Sequence, residues 1–268
     1  PQFEAVTLSH LGDQSHQYSN IRLWGSIGFV IVVSVAGPFL EQFGVNHVPV
    51  IIFVILAIIW LLSLLTPEAN NKLFSSNSER LLTVLAQPHV IVLFSLCFLM
   101  QASHGPYYAF YSIFLEESGY SRRLIGQLWA LGVVAEIIVF LFMRQLLQKF
   151  DAKHLLVVCF ALAGIRWLLI GYWVEYSSII IIAQLLHAAS FGMYHGVVIY
   201  LVHGWFTGGL QGRGQALYSS VSFGAGGAVG ALFSGYLWSD KGASFVFTIS
   251  AIFCMIGLIL TVKSLNFK

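Results

Sequence analysis

The run Leu131-Gly132-Val133-Val134-Ala135-Glu136-Ile137-Ile138-Val139-Phe140-Leu141-Phe142-Met143 holds one carboxylate in an otherwise apolar stretch. Extended both ways it covers residues 123–147, and a helix of ~20 apolar residues is enough to cross the hydrocarbon core of a bilayer. The two apolar runs that follow carry Arg166 and His187 near their centres. An ionisable side chain at bilayer depth costs about 2.5 kcal/mol or more, so it persists where it faces a wet cavity or an opposite charge. Three consecutive spans built this way point to a polar pathway through a membrane.

Composition agrees. Of 268 residues 58% are hydrophobic and 9% charged, with 22 Phe and 25 Gly, and the mean hydropathy is +0.83. So few charges cannot cover a water-facing surface, which places the chain in lipid. A formal net charge of +2 with scattered basic residues offers no stripe for nucleic acid. Cys97, Cys159 and Cys254 lie singly in apolar runs, so they read as small core residues and not as a disulfide frame or metal site. No metal and no cofactor is expected.

Eight apolar runs are long enough to span: residues 22–40, 47–66, 89–115, 123–147, 154–173, 177–206, 214–238 and 244–263. They lack the alternation of a membrane barrel, so the expected fold is all-α, a polytopic bundle of about eight transmembrane helices. Sorting Lys and Arg by side puts Arg22, Lys72, Arg80, Arg144, Lys149, Lys153, Arg213, Lys263 and Lys268 on one face and Arg122, Arg123 and Lys241 on the other. The positive-inside rule makes the first face cytoplasmic, and with it both chain ends.

The polar loop from Pro67 to Pro88 divides two spans from six. An internal echo suggests why: Trp24-Gly25-Ser26-Ile27-Gly28-Phe29 opens the first span and Tyr218-Ser219-Ser220-Val221-Ser222-Phe223 opens the seventh, six spans later. A six-helix unit repeated in parallel is a known transporter architecture. The expected organisation is the last two helices of a first bundle in residues 1–66, a cytoplasmic linker in 67–88, and a second six-helix bundle in 89–268.

Three stretches carry a family resemblance. Arg22-Leu23-Trp24-Gly25-Ser26-Ile27-Gly28-Phe29 resembles the opening of the fifth helix of the major facilitator superfamily, in the branch of proton-linked phenylpropionate, nucleoside and oligosaccharide permeases. Ser103-His104-Gly105-Pro106-Tyr107-Tyr108 with Phe110-Tyr111-Ser112 resembles its seventh, and Ile125-Gly126 through Trp129-Ala130-Leu131-Gly132 to Ala135-Glu136 its eighth. The resemblance implies that the chain holds helices five to twelve of a twelve-helix fold, with four more upstream of Pro1. It also implies proton coupling at Glu136, Arg166 and His187, because an acid, an Arg and a His occupy the eighth, ninth and tenth helices of the oligosaccharide permeases. The superfamily's cytoplasmic loop signature survives only loosely, from Arg144 to Lys149-Phe150-Asp151-Ala152-Lys153.

Residue by residue, Glu136 has Trp129 one heptad earlier, an aromatic beside a carboxylate that suits a ring-shaped substrate. Arg166 keeps its charge at physiological pH and needs a counter-ion, water or a substrate carboxylate; pairing with Glu136 and a two-pronged clamp on cargo both fit. Gln184, His187, Ser190, Tyr194 and His195 fall within an arc of about 140° on one helix, with His187 suited to proton relay or substrate contact and His195 to a bond between helices. In the third span Gln101, His104, Tyr108 and Tyr111 share a face, and Gly105-Pro106 is expected to break the helix into a bend. Gly226 and Gly230, with Gly227 and Ala231, have the spacing of a close helix contact.

The expected activity is proton-coupled symport of a small organic solute, an aromatic carboxylate such as phenylpropionate first and a nucleoside or sugar second. Substrate contacts are expected from Gln101, His104, Tyr108, Tyr111, Trp129, Arg166, Gln184 and Tyr194. The expected partners are the solute, protons and the lipid of the cell's inner membrane, with the protein a monomer. An intramembrane enzyme would need a His-Glu-x-x-His run or a Gly-x-Ser-x-Gly elbow, and a channel a ring of like charge or a filter loop; the sequence has none of these.

Overall fold

A computed structural model describes residues 18–65, 78–207 and 210–264 of the chain. The described residues contain helices and no strand. The helices are α1 (Tyr18–Phe43), a 3-10 turn (Val45–His47), α2 (Val48–Leu65), α3 (Ser78–Leu85), α4 (Pro88–Glu117), α5 (Arg122–Lys149) and α6 (Ala152–Tyr172). There follow α7 (Ser177–Leu185), a π-helical segment (Ala188–Met193), α8 (Tyr194–Trp205), α9 (Gln211–Ser219), a second π-helical segment (Ser220–Gly226) and α10 (Gly227–Ser264). The expected spans coincide with them to within a few residues. The polar loop lies outside the described residues as far as Asn77.

Seven continuous helical stretches among the described residues are long and apolar enough to cross a membrane, the last of 54 residues from Gln211 to Ser264. At 1.5 Å per residue that stretch would run roughly 80 Å, far beyond the ~30 Å core of a bilayer. It breaks at Gly242, whose φ of 79° and ψ of 169° are not helical. The first arm of α10 packs on α4, with Trp238 stacked on Phe110 at 4.6 Å. The second packs on α6, where Ser244 Oγ donates to the Gly171 carbonyl at 2.6 Å. The stretch is therefore two antiparallel spans, which restores the expected eight. Trp238 is a packing residue at that break as well as a residue at a span end.

The described chain divides into two units: residues 120–130 group with α1 and α2, and the remainder from residue 78 forms the second. In the first, the beginning of α5 lies against the end of α1. A Cβ on Gly37 would meet the Arg122 carbonyl at 2.6 Å, Arg122 Nη1 donates to the Leu40 carbonyl at 3.0 Å, and the Arg123 amide donates to Glu41 Oε2 at 3.1 Å. The Leu40 carbonyl also accepts from the Gly44 amide at 3.0 Å, so the Arg122 side chain adds a second donor at the end of α1. No residue of α2 is buried. A helix that is apolar all round and covered by nothing belongs in lipid.

In the second unit α4 is the central helix. It runs through Pro106 without a break, contrary to the expected interruption. Proline has no N–H, which frees the carbonyl four residues earlier, that of Ala102. The backbone of Gly230 on α10 packs against that carbonyl, and a Cβ on Gly105 would collide with the Gly230 backbone. Two glycines facing each other let α4 and α10 touch backbone to backbone, and a Cα–H against a free carbonyl is a weak favourable contact. Cys97, Cys159 and Cys254 are free and buried. Asp151 begins α6 as an N-cap, its carboxylate accepting from the His154 amide and from His154 Nδ1, each at 2.7 Å. The backbone hydrogen bond from His154 is the main cause that holds this carboxyl below the usual range.

Gly230→Ala should lower the thermal midpoint of the detergent-solubilised protein, because the added carbon meets backbone and not a movable side chain; overpacking of this kind costs about 1–3 kcal/mol. Gly28→Ala is the control: a Cβ there meets nothing within 4 Å, so better helix propensity should leave the midpoint unchanged or raised. Equal midpoints for Gly230→Ala and wild type in differential scanning fluorimetry would contradict the backbone contact.

Candidate functional site

Arg166, on α6, is fully buried. Its hydrogen bonds all end on neutral acceptors: Nε on the Ala183 carbonyl at 2.9 Å, Nη1 on Ser190 Oγ at 3.1 Å and Nη2 on Gln184 Oε1 at 3.3 Å. Ala183 lies in the last turn of α7, just before the π-helical segment, and its carbonyl dipole faces the cation. The guanidinium carbon also sits 4.2 Å from the Tyr107 ring centre and 4.6 Å from that of Trp167, a cation–π sandwich strengthened by the absence of water. The Tyr107 hydroxyl is a further hydrogen-bond partner of the same guanidinium.

Gln184 is the hinge of this arrangement. Its Oε1 accepts from both Arg166 and the Tyr107 hydroxyl, the latter at 3.0 Å, so its Nε2 must carry its hydrogens elsewhere. That nitrogen is buried without a partner, as are His104 Nε2 and His187 Nδ1. Three unmet polar atoms in one buried group are unusual in a native fold and mark a place where a solute or water belongs.

Glu136 and His187 form the second pair, Oε2 to Nε2 at 3.7 Å, both largely shielded from solvent. Glu136 fits there because position 192 is glycine: a Cβ on Gly192 would meet Glu136 Cγ at 3.0 Å. Gly192 and Ser190 both belong to the first π-helical segment, so that one turn supplies a ligand to Arg166 and room for Glu136. π-turns recur at functional sites for this reason, since one extra residue per turn re-aims its neighbours.

Of the residues expected in a site, Glu136, Arg166, His104, Gln184 and His187 thus come together in the second unit. The His104 ring lies 6.3 Å from His187 and 4.7 Å from Trp167. Tyr111 is buried one turn from Tyr107, ring to ring at 4.8 Å, and Tyr108 stacks on His104 at 6.0 Å while remaining 46% exposed. Gln101 directs its chain at the second π-helical segment, where a Cβ on Gly226 would meet its own Cβ at 3.2 Å. Tyr194 turns away to pack on Phe160 at 6.1 Å. Trp129 is half-buried in the part of α5 that groups with the first unit. His195 bonds the Tyr218 hydroxyl at 2.7 Å, the expected bond between helices. Tyr107 and Trp167 were not expected. Each is adjacent in sequence to an expected residue, His187 and Arg166 lie against Tyr107 at the same time, and only the pairing of distant helices reveals it.

Two surface clefts lie elsewhere. One of about 660 Å³ is lined by Phe150, Asp151, Tyr200, His203 and Trp205, and one of about 560 Å³ by Phe94, Phe98, Leu217 and Val221. Among the described residues no three His, Cys, Asp or Glu side chains gather as a metal site.

Comparison with known proteins gives the same picture. The model of the family described as "MFS_1 like family" matches residues 1–249. A "Probable 3-phenylpropionic acid transporter" of Escherichia coli (strain K12) is 29% identical over 254 residues, covering 92% of this chain and 65% of that protein. A "Maltose permease" of Geobacillus stearothermophilus is 24% identical over 282 residues, covering 98% and 68%. The crystal structure of the nucleoside transporter NupG superposes with a TM-score of 0.79 at 16% identity, covering 97% of this chain and 72% of that one. The chain spans about two thirds of the length of the two curated relatives. With eight apolar spans, a buried polar cluster and a family model matched over residues 1–249, the chain belongs to the MFS_1 like family of major facilitator transporters.

Proposed function

We propose that the protein is a secondary active transporter that moves a small organic acid with an aromatic body together with protons, 3-phenylpropionate being the model cargo. The observation that carries this reading is the joint burial of a Glu136–His187 pair and of an Arg166 whose hydrogen bonds all end on neutral groups. A substrate carboxylate would approach the guanidinium and the unpartnered Gln184 amide nitrogen, a charge-assisted and two-pronged arrangement. The rings of Tyr107, Tyr108 and Trp167 would receive an aromatic body.

The reason to couple a proton is electrostatic. A site that must change its exposure from one face to the other does so at least cost when its charges are matched. With cargo on Arg166, the remaining charge is that of Glu136 and His187. A proton taken by Glu136 neutralises the carboxylate, and His187 at 3.7 Å is placed to pass or receive it. Access would then alternate by one helical bundle rocking against the other, as in transporters of this architecture. The charge bias of the loops puts both ends of this chain in the cytoplasm of an inner-membrane monomer.

A nucleoside or sugar is the second reading, favoured by the unpartnered nitrogens of His104, Gln184 and His187, which would suit hydroxyl groups. Counterflow in proteoliposomes of the intact protein, with aromatic acids, nucleosides and sugars side by side, separates the two. Counterflow of 3-phenylpropionate and not of uridine or maltose is the expected result; the reverse would replace the first reading by the second. Glu136→Gln should abolish accumulation driven by a pH gradient while retaining exchange, and unchanged accumulation would remove Glu136 from coupling. Arg166→Lys, which keeps the charge and loses the planar fork, should raise the half-saturating concentration of the acid by about tenfold or more.

A further inference from the structure

His104 Nδ1 lies 2.8 Å from the Met100 carbonyl. A carbonyl oxygen only accepts, so Nδ1 carries the hydrogen, and in the neutral ring Nε2 is left as a bare acceptor. That atom is buried and has no partner, and the ring is 0% exposed. Its surroundings are aromatic: Trp167 edge-on at 4.7 Å, Tyr108 stacked at 6.0 Å and Phe191 at 6.2 Å. The indole N–H of Trp167 is committed to Ser103 Oγ at 3.2 Å, and the His187 ring lies 6.3 Å away. An acceptor shut among rings lacks its hydrogen bond unless a solute or water brings one.

The polar groups are sorted by kind around one indole. Arg166 lies 4.6 Å from the Trp167 ring and His104 4.7 Å from it, so both groups border the same indole. Arg166 and the Gln184 amide offer donors, which match a carboxylate. His104 Nε2 offers an acceptor, which a carboxylate cannot satisfy and a phenol can. The half-exposed Tyr108 is the stacked cover of His104 and the side chain a cargo ring would displace.

We propose that the cargo is an aryl-alkanoic acid bearing a hydroxyl on its ring, and that His104 Nε2 accepts the hydrogen bond of that hydroxyl. The proposal rests on the organic-acid reading given above and narrows it. A site built to bind a hydroxyl rejects the analogue that lacks it, because its own buried group is then left unpaired.

The test compares half-saturating concentrations for 3-phenylpropionate and its three ring-monohydroxylated analogues in proteoliposomes of the intact protein. Wild type should favour one analogue by about tenfold or more, and His104→Phe should bring the ratio for that pair close to one. His104→Gln, whose amide can still donate to Met100 and accept from a phenol, should retain part of the preference. Equal concentrations for all four acids in wild type would overturn the proposal while leaving organic-acid transport intact, as would a preference that persists in His104→Phe. Should the phenylalanine variant fail to fold, the wild-type ratio together with the glutamine variant decides. Counterflow of none of the four acids would overturn both this proposal and the reading beneath it.

Discussion

A fully buried guanidinium is the constraint around which the second unit is organised. The fold must compensate a guanidinium charge inside an apolar bundle. It does this with partial charges: the Ala183 carbonyl in the last turn of α7, the carbonyl of Gln184, the hydroxyl of Ser190 and two aromatic faces. Each contribution is small. Together they hold the cation in place without a carboxylate among its hydrogen-bond acceptors, which supports the proposed binding of an anionic cargo. An arginine whose acceptors already included a strong counter-ion would have to lose that bond first.

The approach of α4 to α10 has the same origin in a local rule broken and compensated. Pro106 removes a backbone donor in mid-helix, yet α4 stays continuous because Gly230 brings backbone to the carbonyl so freed, and Gly105 leaves the space for it. Close packing there fixes the height of His104 and Tyr107, one residue to either side of the Gly105-Pro106 pair. The site is thus positioned by small residues that take no part in its chemistry.

Much of this was legible in the sequence, for identifiable reasons. Apolar runs of membrane length reveal helices because the bilayer imposes their length, and Glu136, Arg166 and His187 stand out because a charge in such a run is costly. The helix is not interrupted at Pro106, and the contact made at the carbonyl it frees comes from a residue 124 positions later. Tyr107 and Trp167 escaped notice because aromatic residues in an apolar run carry no cost and hence no signal; their roles arise from pairings across helices, such as Tyr107 with Gln184 77 residues away. On the third span Gln101, His104 and Tyr111 are buried together with Tyr107, while Tyr108 is half-exposed.

The π-helical segment from Ala188 to Met193 shows why periodicity alone could not finish the site. At 100° per residue Gln184, His187 and Ser190 share a stripe, and a regular helix would present that stripe to a single neighbour. A π-turn holds an additional residue and so changes the phase of everything beyond it. Here Gln184 and Ser190 bind Arg166, His187 between them faces Glu136, and Gly192 accommodates the same carboxylate. One short irregular turn therefore touches both the cation and the acid. If that turn relaxed to a regular helix, Ser190 and Gly192 would rotate relative to His187, and the hold on Arg166 and the space for Glu136 would change in the same motion. Coupling between a proton site and a substrate site needs a shared element with two arrangements, and among the described residues this turn contacts both.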